Sequence, residues 1–260
     1  MIEFFNDVVN ILVAYYPYLL RGVGYTMLIA MVGTLAGLLI GLATGVIRTC
    51  PMSKNGFVSF LQRLLSGIIT VYVEIFRGTP MMVQAMVIYW GYAFATGGSQ
   101  LPLVPSGILI VSINTGAYMA EIVRGGIISI DSGQFEGASA VGMTHWQTMR
   151  CVVLPQVMRN ILPSVANEFV INIKDTSVLN VIGVTELYHF AGIIKRQSFQ
   201  TFQTYLVVCA IYFILTFTVT QILRLIERKM DGADSFVICG SQSDHKAEIR
   251  VKKKQEVPND

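Results

Sequence analysis

Glu168, Lys174 and Asp175 are the costliest side chains in this 260-residue sequence, because they fall inside Ile161 to Ile182. That stretch is otherwise apolar and long enough to cross a bilayer. An ionisable group within a span usually faces protein or a water-filled path. The three charges therefore read either as the lining of a polar path or as a structural Lys174–Asp175 pair near a helix end. A second constellation lies in Ile130 to Pro155, which is too polar to span and too patterned for a plain loop. Asp131 or Ser132 can cap a helix, and Gln134 is placed to complete a capping box from Asp131. Gly137, Ala138, Ser139 and Ala140 follow, and Gly142 breaks the helix. Thr144 with Gln147 makes a second box, and Pro155 suits the first turn of the next helix. This pattern predicts two short helices around a glycine corner. Such a compact knob, with the single carboxylate Glu136, suits a groove in another protein; the plainer reading is an interfacial linker.

Other chemistries find no residues. Cys50, Cys151, Cys209 and Cys239 have no metal-site or disulfide spacing and read as small apolar residues. There is no HExxH, no GxSxG and no GxxxxGK[ST] phosphate cradle. No metal or cofactor is expected to bind this chain, and enzymatic chemistry is not expected of it.

The elements that must hold these residues are set by composition. The chain is 53% hydrophobic and 13% charged, against about 25% charged for a soluble domain, so the sequence places it in lipid. A disordered chain is excluded by the same numbers. A span needs about 20 apolar residues. Gly22 to Ile47, Thr79 to Thr96, Leu103 to Ala120 and Gln197 to Leu223 carry no charge, and Ile161 to Ile182 is the fifth. Phe57 to Phe76 contains Arg63 and Glu74 and is read as an amphipathic helix at one interface. Within the first span Gly33, Gly37, Gly41 and Gly45 line one face and predict close helix packing.

Basic residues collect on the cytoplasmic side. Arg48, Lys54, Arg63 and Arg77 follow span one; Arg124, Arg150 and Arg159 lie between spans three and four; Arg224, Arg228 and Lys229 follow the last span. Five spans put all three groups on one side, with the N-terminus outside and the C-terminus in the cytoplasm. Lys195 and Arg196 are the exception. Residues 1–230 form the membrane domain, with the knob at 131–155. Residues 231–260, with the run Lys252 to Lys254, are polar and expected to be a largely disordered cytoplasmic tail.

Glu136-Gly137-Ala138, Gly142, then Val152-x-Leu154-Pro155 resembles the "EAA" loop of permease subunits of bacterial ABC importers. The family pattern has Ala where Gly137 stands and Ile where Val152 stands. Phe76 to Pro80 (FRGTP), Ala117 to Ile127 (AYMAEIVRGGI), Gly133 to Ala138 (GQFEGA) and Lys174 to Gly183 (KDTSVLNVIG) narrow the likeness to the polar amino-acid permeases. The resemblance runs from about Leu19 to Arg228.

The resemblance implies an all-α integral membrane protein with the five transmembrane helices of the type I ABC importer permease fold, plus short interfacial and coupling helices. It implies residence in the bacterial inner membrane and pairing with an identical or homologous permease. Two ATP-binding subunits would carry ATP and magnesium, and an extracytoplasmic binding protein would deliver the amino acid. Glu136, Gly137, Ala138, Gly142, Leu154 and Pro155 would couple to the ATPase. The substrate path would draw on Asn114 and Tyr118, which share a face at i and i+4, with Gln84, Glu121, Glu168, Lys174 and Asp175. Asn114 is equally placed for an interhelical hydrogen bond, and Glu121 for pairing with Arg124. The alternatives are a permease for another small solute, such as an opine or cystine, and an ion-coupled secondary transporter. The latter usually shows paired repeats, and none is visible here.

Overall fold

A computed structural model describes residues 2–53, 55–230, 236–239 and 248–251. The chain forms α1 (Ile2–Thr49), α2 (Gly56–Gly78), α3 (Met81–Ala95), α4 (Leu103–Ile128), α5 (Ser132–Ala140), α6 (His145–Thr148), α7 (Leu154–Asp175), α8 (Leu187–Ser198) and α9 (Thr201–Met230). A π-helical turn, Met149–Val153, joins α6 to α7, and a 3-10 segment, Thr176–Ile182, follows α7. In the tail, β1 (Phe236–Cys239) pairs antiparallel with β2 (Glu248–Val251), Phe236 opposite Val251. The sequence reading put no regular structure there. The remainder of the tail, with Lys252 to Lys254, lies outside the described residues.

The glycine stripe sets the central packing. A Cβ added at Gly33 would sit 2.5 Å from Val111, one at Gly37 2.8 Å from Thr115, and one at Gly45 2.7 Å from Val123. Gly41 is closer still to Met119. The offset between partners is constant along both helices, so α1 and α4 run parallel in near backbone contact. Small residues are what permit this where lipid supplies no hydrophobic drive. At 48 residues α1 is about 72 Å long by its rise per residue, far more than a bilayer needs. Its first half, with Ile11 and Leu19, packs with Leu187, Ala191 and Ile194 of α8 and Val207 and Val208 of α9.

The other spans alternate around α4. In α7, Asn172 donates to Thr115 (3.0 Å) and Thr34 (2.8 Å), while Ile161 lies against Gly126. Partner numbers rise as those of α7 fall, so α7 is antiparallel to α4. In α2, Ile69 and Val73 bury against Ala120, and Phe76 lies level with Asn114, which makes α2 antiparallel as well. Cys50, just past α1, lies 4.0 Å from His145 of α6. The end of α1, the end of α4 and the α5–α6 knob thus share one end of the bundle.

Among the described residues four helices are long and apolar enough to cross a membrane: α1, α2, α4 and α9. The run from His145 to Ile182 with α8, bent by 58°, makes a fifth. The count of five agrees with the sequence reading, but its membership differs. Residues 57–76, read as interfacial, lie in an unbroken 23-residue helix of spanning length. Residues 79–96, read as a span, form only the 15-residue α3, about 22 Å long at 1.5 Å per residue. Arg63, Ser66, Thr70, Glu74 and Arg77 recur at three- and four-residue spacing, so the charges occupy one side of α2, while Ile69 and Val73 bury another side. The amphipathic pattern is there as read, but its polar side runs along a spanning helix.

Candidate functional site

The knob is built as its spacing predicts, with two differences. Asp131 caps α5, its Oδ1 accepting from Gly133 N at 2.7 Å. Gln134 does not close the expected box; its Oε1 accepts from Gln156 of α7 instead (3.2 Å). Gly142 adopts φ +81°, the left-handed turn that separates the two helices. At α6 the box is complete: Thr144 Oγ1 accepts from Gln147 N, and Gln147 Oε1 accepts from Thr144 N at 2.8 Å. The second difference is that α6 does not stop before α7. Pro155 stands in the first turn of α7 and has no N–H to donate. The chain passes this gap as a π turn, Leu154 N bonding to Met149 O. Gln156 Nε2 donates to Val152 O at 2.9 Å. Leu154 is half-buried and Pro155 exposed at this junction.

One face of the knob is anchored and the other is free. Ala138 is buried, and Phe135 packs with Ile130, Met149 and Val153. Glu136, Gly137 and Gly142 are exposed. So are two large apolar groups that the sequence reading did not single out, Val141 at 77% and Trp146 at 63%. They stand beyond the end of α4, and two large apolar side chains left uncovered there are the kind of surface a protein partner covers. The sequence signal was an apolar side chain beside the corner glycine and another at the head of α6.

The expected path residues divide into two groups. Gln84 is 7% exposed, and its amide nitrogen donates to Phe76 O (2.9 Å), Thr79 O (2.9 Å) and Thr79 Oγ1 (2.8 Å). Its Oε1 accepts from Asn114 Nδ2 at 2.8 Å. Gln84 and Asn114 thus seal the break between α2 and α3. Both polar atoms of Gln84 are engaged within the chain, and Asn114 makes the interhelical bond through Nδ2. The break itself lies level with the middle of α4, since Asn114 also reaches Phe76 O at 3.4 Å. Glu121 joins Arg48 of α1 and Arg124, the latter at 2.8 Å. Arg124 is the partner foreseen; Arg48 was counted only as a flanking charge.

Tyr118, Glu168, Lys174 and Asp175 remain open. Tyr118 is half-buried, with the Arg77 guanidinium 5.6 Å from its ring centroid. Glu168 and Asp175 are half-buried and seven residues apart, hence on one face of α7; Lys174 is exposed. Among the described residues none of these three makes an ion pair, so the Lys174–Asp175 pairing is not formed. Asn160, Ser164 and Asn167 extend the same polar side of α7, all exposed. Charge and amide on an uncovered side of a spanning helix are unfavourable against lipid. The arrangement suits a water-lined path closed by another subunit.

Two further groups were missed. Arg77 was read only as a flanking charge; it follows Phe76, whose carbonyl lies level with Asn114 of α4, and its guanidinium sits over the Tyr118 ring. Glu186 is fully buried and caps α8, accepting from Tyr188 N (2.9 Å), His189 N (2.7 Å) and Tyr212 Oη (2.6 Å). It ties the start of α8 to α9, and only a lone acid before a helical run signalled it. Among the described residues no three side chains form a metal-binding group.

The described residues thus form a bundle of four span-length helices and a fifth, bent run, with an exposed polar side and a glycine-cornered knob at one end. Residues 56–232 match the family model of the binding-protein-dependent transport system inner membrane component, and the chain belongs to that family, the permease subunits of ABC importers. Among its relatives is the glutamine transport system permease protein GlnP of Escherichia coli, 36% identical over 82% of this chain and 93% of that protein. Another is the L-cystine transport system permease protein TcyB of Bacillus subtilis, 35% identical over 84% and 88%. The crystal structure of an amino acid ABC transporter with histidines superposes with a TM-score of 0.72 at 34% identity, covering 84% of this chain and 96% of that one. The MetNI methionine transporter, at 21% identity and a TM-score of 0.67, shares the fold.

Proposed function

We propose that this chain is the membrane subunit of an ATP-driven importer that passes a polar amino acid across the bacterial inner membrane. Its N-terminus lies outside and its C-terminus in the cytoplasm. Two ATP-binding subunits hold ATP and magnesium; this chain holds neither and performs no catalysis. The permease pairs with an identical or homologous copy, whose surface closes the uncovered side of α2, α4 and α7. An extracytoplasmic binding protein delivers the amino acid. Glu136, Gly137 and Gly142, with Val141 and Trp146, dock in the ATPase, while Ala138 holds the knob to the bundle. Leu154 and Pro155 form the stem through which a push reaches α7. Glu168, Lys174, Asp175 and Tyr118 line the path.

The observation that carries this reading is the knob. It has an exposed apolar tip on a left-handed glycine corner, and a single continuous helix connects it to the polar α7. Its amino-acid cargo is supported by the relatives that transport glutamine and cystine. The test is uptake of labelled amino acids by the chain co-expressed with its ATPase and binding protein. Uptake that depends on ATP, and is lost when the ATPase is inactivated, supports the reading. Uptake driven by an ion gradient without ATPase overturns it.

A further inference from the structure

A cavity of about 240 Å³ lies where α1, α7 and α9 meet, walled by Met31 and Leu35, by Leu162, Val165 and Phe169, and by Ile226. At 3.6 residues per turn, Leu162 and Phe169 fall on the side of α7 opposite Asn160, Ser164 and Asn167, so the cavity is turned away from the polar side. Thr34 also borders it, but its hydroxyl donates to Ala30 O at 2.7 Å and accepts from Asn172 at 2.8 Å. The cavity lies between the knob, where α7 begins, and Asn172, which meets Thr115 in the middle of α4. Its depth is therefore that of the leaflet on the knob's side. The one charged group on its wall is Glu227, the last residue of the span-length part of α9. Glu227 is half-buried, and Arg224, exposed, stands one turn before it on the same side. Both border a neighbouring cleft across the α7–α9 contact. Among the described residues neither forms an ion pair.

We propose that this cavity holds an acyl chain of a phospholipid with a primary-amine headgroup, Glu227 receiving its ammonium and Arg224 its phosphate. Apolar walls forfeit dispersion contacts unless an apolar group fills the space between them, and at this depth a lipid chain is the group at hand. The charges at the knob-side end choose the headgroup. An ethanolamine nitrogen donates charge-assisted hydrogen bonds to a carboxylate. A choline nitrogen is fully methylated and has no N–H to give. A glycerol headgroup leaves only the phosphate charge, which Glu227 repels. The phosphate and the amine are joined by a short carbon link, and side chains one turn apart, with Cβ atoms about 5–6 Å from each other, can meet both. A lipid seated here touches α1, α7 and α9 at once and ties them together on the side away from the path.

The test uses the full chain purified with its ATPase in mild detergent. Dioleoyl phospholipids with ethanolamine, choline and glycerol headgroups are added singly. Binding is read by native mass spectrometry and by the rise in melting temperature that a ligand of the folded state produces. The wild-type complex is expected to hold one ethanolamine lipid per permease chain, about tenfold tighter than the choline lipid, the worth of one charge-assisted hydrogen bond. Glu227→Gln is expected to abolish that preference, and Arg224→Gln to weaken all three lipids alike. Leu162→Trp, which fills the cavity, is expected to lower binding of every headgroup about tenfold or more. Equal binding of the three lipids by wild type, a preference for the glycerol headgroup, or an unchanged preference in Glu227→Gln overturns the proposal, as does undiminished binding in Leu162→Trp. A complex that binds no lipid tightly, its cavity covered by a second copy or by residues 231–260, overturns it too. Should Leu162→Trp fail to assemble, Glu227→Gln decides alone.

Discussion

Gly142 and Gly137 lie five residues apart in the knob and make opposite demands. Gly142 has φ +81° with nothing near an added Cβ, so a side chain there meets strain and not a clash. Left-handed backbone costs an L-residue about 1–2 kcal/mol. Gly142→Ala is expected to leave membrane abundance unchanged and to lower uptake and co-purification of the ATPase, because the tip is re-aimed. Gly137 has helical backbone and open space around its Cβ position. Gly137→Ala is expected to gain about 0.5–1 kcal/mol of helix stability with uptake at least equal to wild type, read by transport assay and thermal denaturation. These two roles were legible, because backbone demands leave a local trace. The partners of Gln84 and Asn114 were not. An amide in an apolar helix says that it needs hydrogen bonds, and only the fold says whether a broken helix supplies them. Arg77 was opaque for a similar reason: its charge was legible, while its place over the Tyr118 ring depends on how α2 packs on α4.

Among the helices, the four glycines of α1 were the clearest signal, and they do what their spacing implies. Gly41→Leu is expected to wedge α1 from Met119 and Ala120 and to destabilise the subunit by about 1–3 kcal/mol. Gly24→Leu, on the same helix with nothing within 4 Å, is expected to change little; melting in detergent compares the two. Glu186 offers a second test. Removing its carboxylate leaves the Tyr212 hydroxyl and two amide groups unpaired, at about 1–3 kcal/mol each. Glu186→Ala is expected to be poorly recovered from membranes and Glu186→Gln, which keeps an acceptor, to be recovered far better. The α2–α3 region was the harder one. Hydropathy favoured Thr79 to Thr96 because it has no charge, and disfavoured 57–76 because of Arg63 and Glu74. Periodicity carried the missing information: the charges of α2 keep to one side. Hydropathy averaged over a window cannot register sidedness, and Thr79-Pro80 divides what looked like a continuous apolar run.

Under the proposed function, knob and path are one mechanical unit. α6 runs through the π turn into α7, and α7 is bonded by Asn172 to both α1 and α4. A displacement of the tip is therefore carried toward the level of Glu168 and Asp175. The polar sides of α2 and α7 are uncovered within one subunit, and under the proposed function they are the surfaces that a second permease closes. The number of spans was legible in the sequence while the membership of two was not, and the occupant of the uncovered side is not a property of one chain. The account depends most on the knob facing the ATPase. The direct measurement is labelling of Val141→Cys, in a chain whose own four cysteines are replaced, by a membrane-impermeant maleimide. The account predicts no labelling in intact cells, labelling in inside-out vesicles, and protection there when the ATPase is bound. Labelling from outside intact cells would contradict it.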